Sequence, residues 1–271
     1  MTLRFEADLA EYFIQRATAY VNMGEYEQAI TDYGTALELC PDYAIAYMER
    51  GRLHLELDHL DAALNDLNEA IKIDAHYDAA YFNRGRVYAH LNDHNRAVAD
   101  FSRAIDLNPL YSQYYQRRGI AYANNGLPDL ALYDFDQALT LDGHDILTYY
   151  YRARTLSMVG SYDKAIADLT YALSFAPYDP AIYFERATNY YYQCDYLRAL
   201  ADYRQAILYE SNYGEAFAGL GATCLNLGQM GEALTAYRRY VDIVGGEADS
   251  RILRLIGKLE QTVSQTARAR R

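Results

Sequence analysis

Residues 10–43 read AEYFIQRATAYVNMGEYEQAITDYGTALELCPDY, and the same pattern returns every 34 residues as far as residue 247. Rows 10–43, 44–77, 78–111, 112–145, 146–179, 180–213 and 214–247 align without insertion or deletion. Self-similarity at a fixed period of this size is the mark of a repeat architecture, in which each unit is one supersecondary element. Position 20 of every row is alanine: Ala29, Ala63, Ala97, Ala131, Ala165, Ala199 and Ala233. Position 4 is always aromatic, as Phe13, Tyr47, Tyr81, Tyr115, Tyr149, Tyr183 and Phe217, and position 8 is always Gly or Ala.

Two amphipathic helices per row, at about positions 2–14 and 17–30, account for these choices. Small residues at 8 and 20 let the backbones approach, and large ones at 4, 11, 17 and 24 fill the space around the crossing. Gly24, Gly126, Gly160 and Gly228 at position 15 suit a left-handed residue ending the first helix. Pro41, Pro109 and Pro177 stop the second helix, and Asp179-Pro180 caps and opens the next. One hairpin cannot bury its apolar faces alone, so stability comes from stacking on neighbours.

Over residues 10–247 the chain resembles the tetratricopeptide repeat family, and row one carries nearly every signature position of that pattern. The departures are local: Ala75, Gly143, Ser211 and Gly245 stand in place of Pro at position 32, and Asp58, Asn92 and Cys194 in place of Gly at 15. The resemblance implies an all-α, right-handed α-solenoid of seven antiparallel helix pairs. After it, Asp249 or Ser250 caps a further helix with Ile252, Leu255, Ile256 and Leu259 on one face. The expected layout is an array over 1–247, a capping helix over 248–263 and a disordered basic tail over 264–271.

Rows one to six pair an Arg at position 7 with an Asp at position 23: Arg16 with Asp32, Arg50 with Asp66, Arg84 with Asp100, Arg118 with Asp134, Arg152 with Asp168 and Arg186 with Asp202. Row seven loses both together, as Leu220 and Ala236. Joint presence and joint loss predict ion pairs, within a repeat or across a junction, that form a structural ladder rather than a reactive site.

The family resemblance implies that first-helix positions 2, 5, 6, 9, 12 and 13 line a concave groove that holds extended or helical peptides. Position 5 supplies Ile14, Met48, Phe82, Gln116, Tyr150, Phe184 and Ala218. Position 9 supplies Thr18, Arg52, Arg86, Ile120, Arg154, Thr188 and Ala222, and rows five and six add Tyr151, Tyr191 and Tyr192. Tyr and Arg are the residues most enriched in binding hot spots. The expected ligand is a peptide or protein segment with apolar anchors and an acidic group, held across rows two to six. Family members that clamp the C-terminal carboxylate of heat-shock chaperones use Lys and Asn at groove positions 2, 5, 6 and 9; here those positions carry no Lys, and Asn83 is their one Asn.

Thirty tyrosines, no tryptophan and a net charge of −12 complete the frame. The acidic balance disfavours nucleic acid as a partner, because phosphate neutralisation needs a basic footprint. Cys40, Cys194 and Cys224 lack metal-ligand spacing and suggest neither zinc nor a disulfide framework. The six histidines are scattered, with only His90 and His94 one turn apart, so no metal, cofactor or catalytic constellation is expected. No long apolar run suggests a membrane span, and no signal segment opens the chain, so a cytoplasmic location is expected. With only residues 1–9 ahead of row one, a preceding DNA-binding domain is not expected. A non-catalytic interaction scaffold is the reading that these features favour. Homodimerisation through the groove or a terminal repeat, and service as a regulatory subunit of an enzyme in another chain, are the competing ones.

Overall fold

The computed structural model of the chain describes residues 2–269. They form fifteen α-helices in two compact units, residues 1–143 and 144–271. The first unit holds α1 (Thr2–Met23), α2 (Tyr26–Leu39), α3 (Ala44–Glu56), α4 (Leu60–Ile73), α5 (Asp78–His90), α6 (His94–Leu107), α7 (Ser112–Asn124) and α8 (Pro128–Leu141). The second holds α9 (Ile146–Met158), α10 (Tyr162–Phe175), α11 (Pro180–Tyr192), α12 (Tyr196–Tyr209), α13 (Gly214–Asn226), α14 (Met230–Val244), a 3₁₀ turn (Gly245–Glu247) and α15 (Ser250–Ala269). Among the described residues no helix is long and apolar enough to cross a membrane.

Every hairpin turns by the same backbone device. Position 15 has positive φ in all seven rows, near 75° at Gly24, Gly126, Gly160 and Gly228 and near 60° at Asp58, Asn92 and Cys194. The N–H of position 16 then bonds the carbonyl of position 11, as from Glu25 to Tyr20 (2.9 Å) and from Asp195 to Tyr190 (2.9 Å), which satisfies a helix-end carbonyl. Beyond the turn the helices cross on small residues. A Cβ added to Gly85 would lie 2.7 Å from the Phe101 ring, and one added to Gly221 would lie 2.7 Å from Tyr237. The large residue at 24 thus occupies the space that position 8 leaves.

The six Arg–Asp pairs lie within repeats, two N–H groups of each guanidinium meeting both carboxylate oxygens. Arg118 donates from Nε and Nη2 to Asp134 at 2.7 and 2.8 Å, and the Asp134 side chain is almost wholly buried. The position-4 ring lies beside the guanidinium in each of these rows, at 5.1 Å for Phe13 over Arg16 and 5.6 Å for Tyr183 beside Arg186. The third nitrogen reaches position 25 of the preceding repeat: Arg84 to Asn68 at 2.8 Å, Arg118 to Ser102 at 3.0 Å and Arg186 to Thr170 at 3.2 Å. Row seven has Leu220 where its Arg would stand, and position 25 of row six is itself a cation, Arg204, paired with Glu232.

The C-terminal helix departs from expectation. Asp249 caps α15 by accepting from the Arg251 N–H at 2.8 Å, and Leu259 is buried against the row-seven core with Ile252, Leu255 and Ile256 beside it. The tail expected from residue 264 is instead helical to Ala269; no Gly or Pro follows Gly257, and Gln, Ala and Arg propagate the helix. Arg270 and Arg271 lie outside the described residues. At the other end α1 begins at Thr2, so residues 2–9 lengthen the first helix of row one by about two turns.

Two outcomes follow from these features. Cys194→Gly relieves a left-handed residue bearing a side chain and raises the unfolding free energy by about 1 kcal/mol in a urea titration; an unchanged midpoint would remove strain at that turn. Arg118→Ala costs about 3–5 kcal/mol. The double variant with Asp134→Ala costs less than the two single losses added together, whereas purely additive losses would sink the pairing as a source of stability.

Candidate functional site

Consecutive first helices touch one another within each unit, α3 with α5 and α5 with α7, then α9 with α11 and α11 with α13. No comparable contact joins consecutive second helices among the described residues. The first helices therefore form the tighter, inner layer of each unit, and their outward positions make its inner face.

In the first unit this face holds a cavity of about 280 Å³. Leu55, Ala89, Phe101, Ile120 and Ala121 give it an apolar floor, and Arg86, His90, His94, Arg117 and Asn124 give it a polar rim. Arg86 donates to Glu56 at the end of α3 at 2.8 Å and to Asn83 on its own helix at 3.0 Å, so it is steered into place from both helices. His90 approaches Asp58 at 3.4 Å. His94 Nδ1 is buried without a hydrogen-bond partner.

In the second unit the inner face centres on Glu185. Its carboxylate forms an ion pair with Arg154, Nε at 3.2 Å. Burial pushes this carboxyl above the usual carboxylate range despite the opposing pull of Arg154. Burial, with Tyr150 and this carboxylate adding to it, raises the Tyr213 hydroxyl, whose ring packs on Phe184 at 5.0 Å. Thr188 sits 3.1 Å from the Tyr203 hydroxyl, and Tyr191 accepts from Asn226 at 3.2 Å.

The expected groove residues divide by position. Met48 and Gln116 are 6% and 4% exposed, because adjacent first helices close over position 5 in these rows; neither presents a surface to a ligand. Phe82 and Phe184 are half-buried in ring clusters, Phe82 against Tyr114 at 4.8 Å and Phe184 against Tyr213. Arg52, Arg86 and Arg154 do face outward, but each already holds a glutamate: Glu49 at 2.9 Å, Glu56 at 2.8 Å and Glu185 at 3.2 Å. Tyr150 and Tyr151 are partly exposed and pack edge to face at 5.5 Å. Tyr192 leaves the inner face to stack on Tyr162 at 5.5 Å, beside the start of α10. Arg117, His90, Asn124 and Glu185 join the site from positions 6 and 13, which the family resemblance places on the groove, although the residues expected to meet a ligand came from positions 5 and 9 and the tyrosines of rows five and six. They lie about one helical turn from position 9, which is the signal that could have found them. His94, at position 17 of a second helix, carries no such signal.

Family models of the tetratricopeptide repeat match residues 17–58, 44–77, 79–111 and 184–248, together more than half of the chain. No curated protein matches it by sequence. Among solved structures, a tetratricopeptide repeat protein from Parabacteroides merdae is 21% identical and superposes with a TM-score of 0.68 over 93% of this chain and 98% of its own. The Cut9–Hcn1 hetero-tetramer of APC/C gives 0.72 at 15% identity, over 95% of this chain and 52% of the other. YrrB, described as a TPR protein with an unusual peptide-binding site, gives 0.59 at 21% identity over 68% of this chain and 95% of its own. At these identities the likeness is one of fold.

The raised Glu185 carboxyl has a measurable consequence. The folded chain keeps a proton that the unfolded chain releases, so this group favours folding less as pH rises above the ordinary glutamate pKa of about 4.3. Glu185→Gln removes the effect, and the stability of the variant relative to the parent increases with pH above that value in urea titrations. A difference that stays constant with pH would show that Glu185 ionises normally in the fold.

Proposed function

Since the chain belongs to the tetratricopeptide repeat family, we propose that it is an interaction scaffold whose inner face takes up a segment of another protein bearing apolar anchors and an acidic group. The observation that carries this reading is the cavity of the first unit, where an apolar floor meets the cations of Arg86 and Arg117. An apolar side chain fills the floor while a neighbouring carboxylate meets the rim, which is the division of labour expected of a small, well-formed pocket. Because Arg86 already has Glu56, the incoming acid shares that cation rather than meeting it bare. The contribution of the charge is thus mainly to register and specificity, and the anchor supplies the affinity.

The fold neighbours agree in kind: one is described by its peptide-binding site, another as a subunit of a hetero-tetramer. The chain's net charge of −12 makes a protein a better partner than a nucleic acid.

Panning a random peptide library against the full chain tests the proposal. Enriched peptides carry Asp or Glu next to Leu, Ile or Phe, and Arg86→Glu weakens a selected peptide about thirtyfold or more. Enrichment that ignores acidic residues, or that survives Arg86→Glu unchanged, would overturn it. Light scattering on the same samples separates the self-association reading: a dimer dispersed by Arg86→Glu would assign the face to a second copy of the chain.

A further inference from the structure

In rows two and three, positions 3 and 10 of the first helix lie against the preceding repeat. Ala46 and Leu53 pack into the core of row one, and Ala80 and Val87 into that of row two, all of them fully buried. Row one has Tyr12 and Ala19 at these positions, and Tyr12 is 53% exposed. Arg16 shows the same contrast: its side chain is 42% exposed, against 16–23% for the ladder arginines of rows two to six. Asp8 and Met23, both exposed, continue this side of α1 at helical spacing, one on each flank. Among the described residues nothing covers it.

The outer side of α15 has the opposite character. Arg251, Arg254 and Lys258 recur at intervals of three and four, and all are exposed. Among the described residues none of the three meets a carboxylate, although Arg238 on α14 pairs with Glu260 at 2.6 Å. Arg254 donates to the Ser250 carbonyl of its own helix at 3.2 Å. Beside these cations stand the exposed Leu253 and Gly257. Glycine weakens a helix interior, yet a Cβ at Gly257 would meet nothing within 4 Å, so the chain's own packing does not require its small size. The charges of the two segments also differ in sign. Residues 1–43 hold eight acidic and two basic side chains, net −6, whereas residues 248–271 hold six basic and two acidic, net +4.

We propose that the chain associates head to tail with a second copy of itself, the outer side of α15 in one copy packing on the uncovered side of α1 in the next. Ala19 and Gly257 let the two backbones approach, Tyr12, Met23 and Leu253 supply apolar contact, and the α15 cations meet Asp8 and Glu11. Glu11 accepts from the Tyr43 hydroxyl at 2.8 Å and, among the described residues, meets no cation. Like charge disfavours the symmetric alternatives, in which two row-one ends or two α15 ends come together. The contact is heterologous, so each copy keeps one face for a further copy. It shares no residue with the cavity of the first unit and is independent of peptide uptake there.

Sedimentation velocity of the full chain over a concentration series tests this. Reversible association is expected, weakened about tenfold or more as NaCl rises from about 0.05 to 0.5 M and screens the charges. Arg254→Glu with Lys258→Glu gives a monomer, and so does Asp8→Lys with Glu11→Lys. An equimolar mixture of the two double variants associates again, because each retains the face that the other has lost. Gly257→Gln weakens association about tenfold by filling the gap beside Leu253, with no loss of thermal stability. Circular dichroism melts check that every variant is folded. A chain that stays monomeric at low salt, association that survives either charge reversal, or no recovery on mixing would overturn the proposal. So would association dispersed by Arg86→Glu, which is expected to change nothing.

Discussion

A guanidinium held on three sides organises this array. The arginine at position 7 gives two N–H groups to an aspartate of its own hairpin, rests beside the ring at position 4 and, as at Arg84, Arg118 and Arg186, spends a third nitrogen on the second helix of the preceding repeat. A half-buried charge tolerates few alternatives to its full set of partners. It therefore fixes the crossing of two helices and the register of one repeat on the next together. The small residues at 8 and 20 permit close approach; the charge selects which close approach is made.

That arrangement also explains how the inner face is left free to vary. With register held by position 7 and bulk by position 24, positions 6, 9, 12 and 13 carry little structural duty. In the first unit they collect Arg86, Arg117, His90 and Asn124 around an apolar floor, and in the second they collect Glu185, Arg154 and Tyr191. One scaffold thus displays two chemically different faces without a change of backbone.

The repeat phase, the helix pairs and the Arg–Asp partnership were legible in the sequence because each depends on residue size or charge at a constant spacing. The lid role of position 4 was not, since periodicity reveals an aromatic residue without revealing what it covers. Neutralisation of the groove arginines was hidden for a different reason. Arg86 meets Glu56 and Arg154 meets Glu185, residues about 30 apart in the chain, so the pairing depends on how one first helix lies beside the next. The burial of Met48 and Gln116 has the same origin, and so does the stacking of Tyr192 on Tyr162. Contacts inside a repeat follow from its own period. Contacts between repeats follow from the stacking angle, which no single row encodes.

The loss of the ladder in row seven gives the array two kinds of hairpin with different thermal character. Rows one to six each combine apolar burial with a buried ion pair between their own two helices, whose desolvation penalty falls on heating. The row-seven hairpin, with Leu220 and Ala236 buried in place of the pair, is held at that crossing by apolar packing, which weakens on cooling. Cold therefore loosens this hairpin first, and α15, anchored on it by Leu259, is released with it.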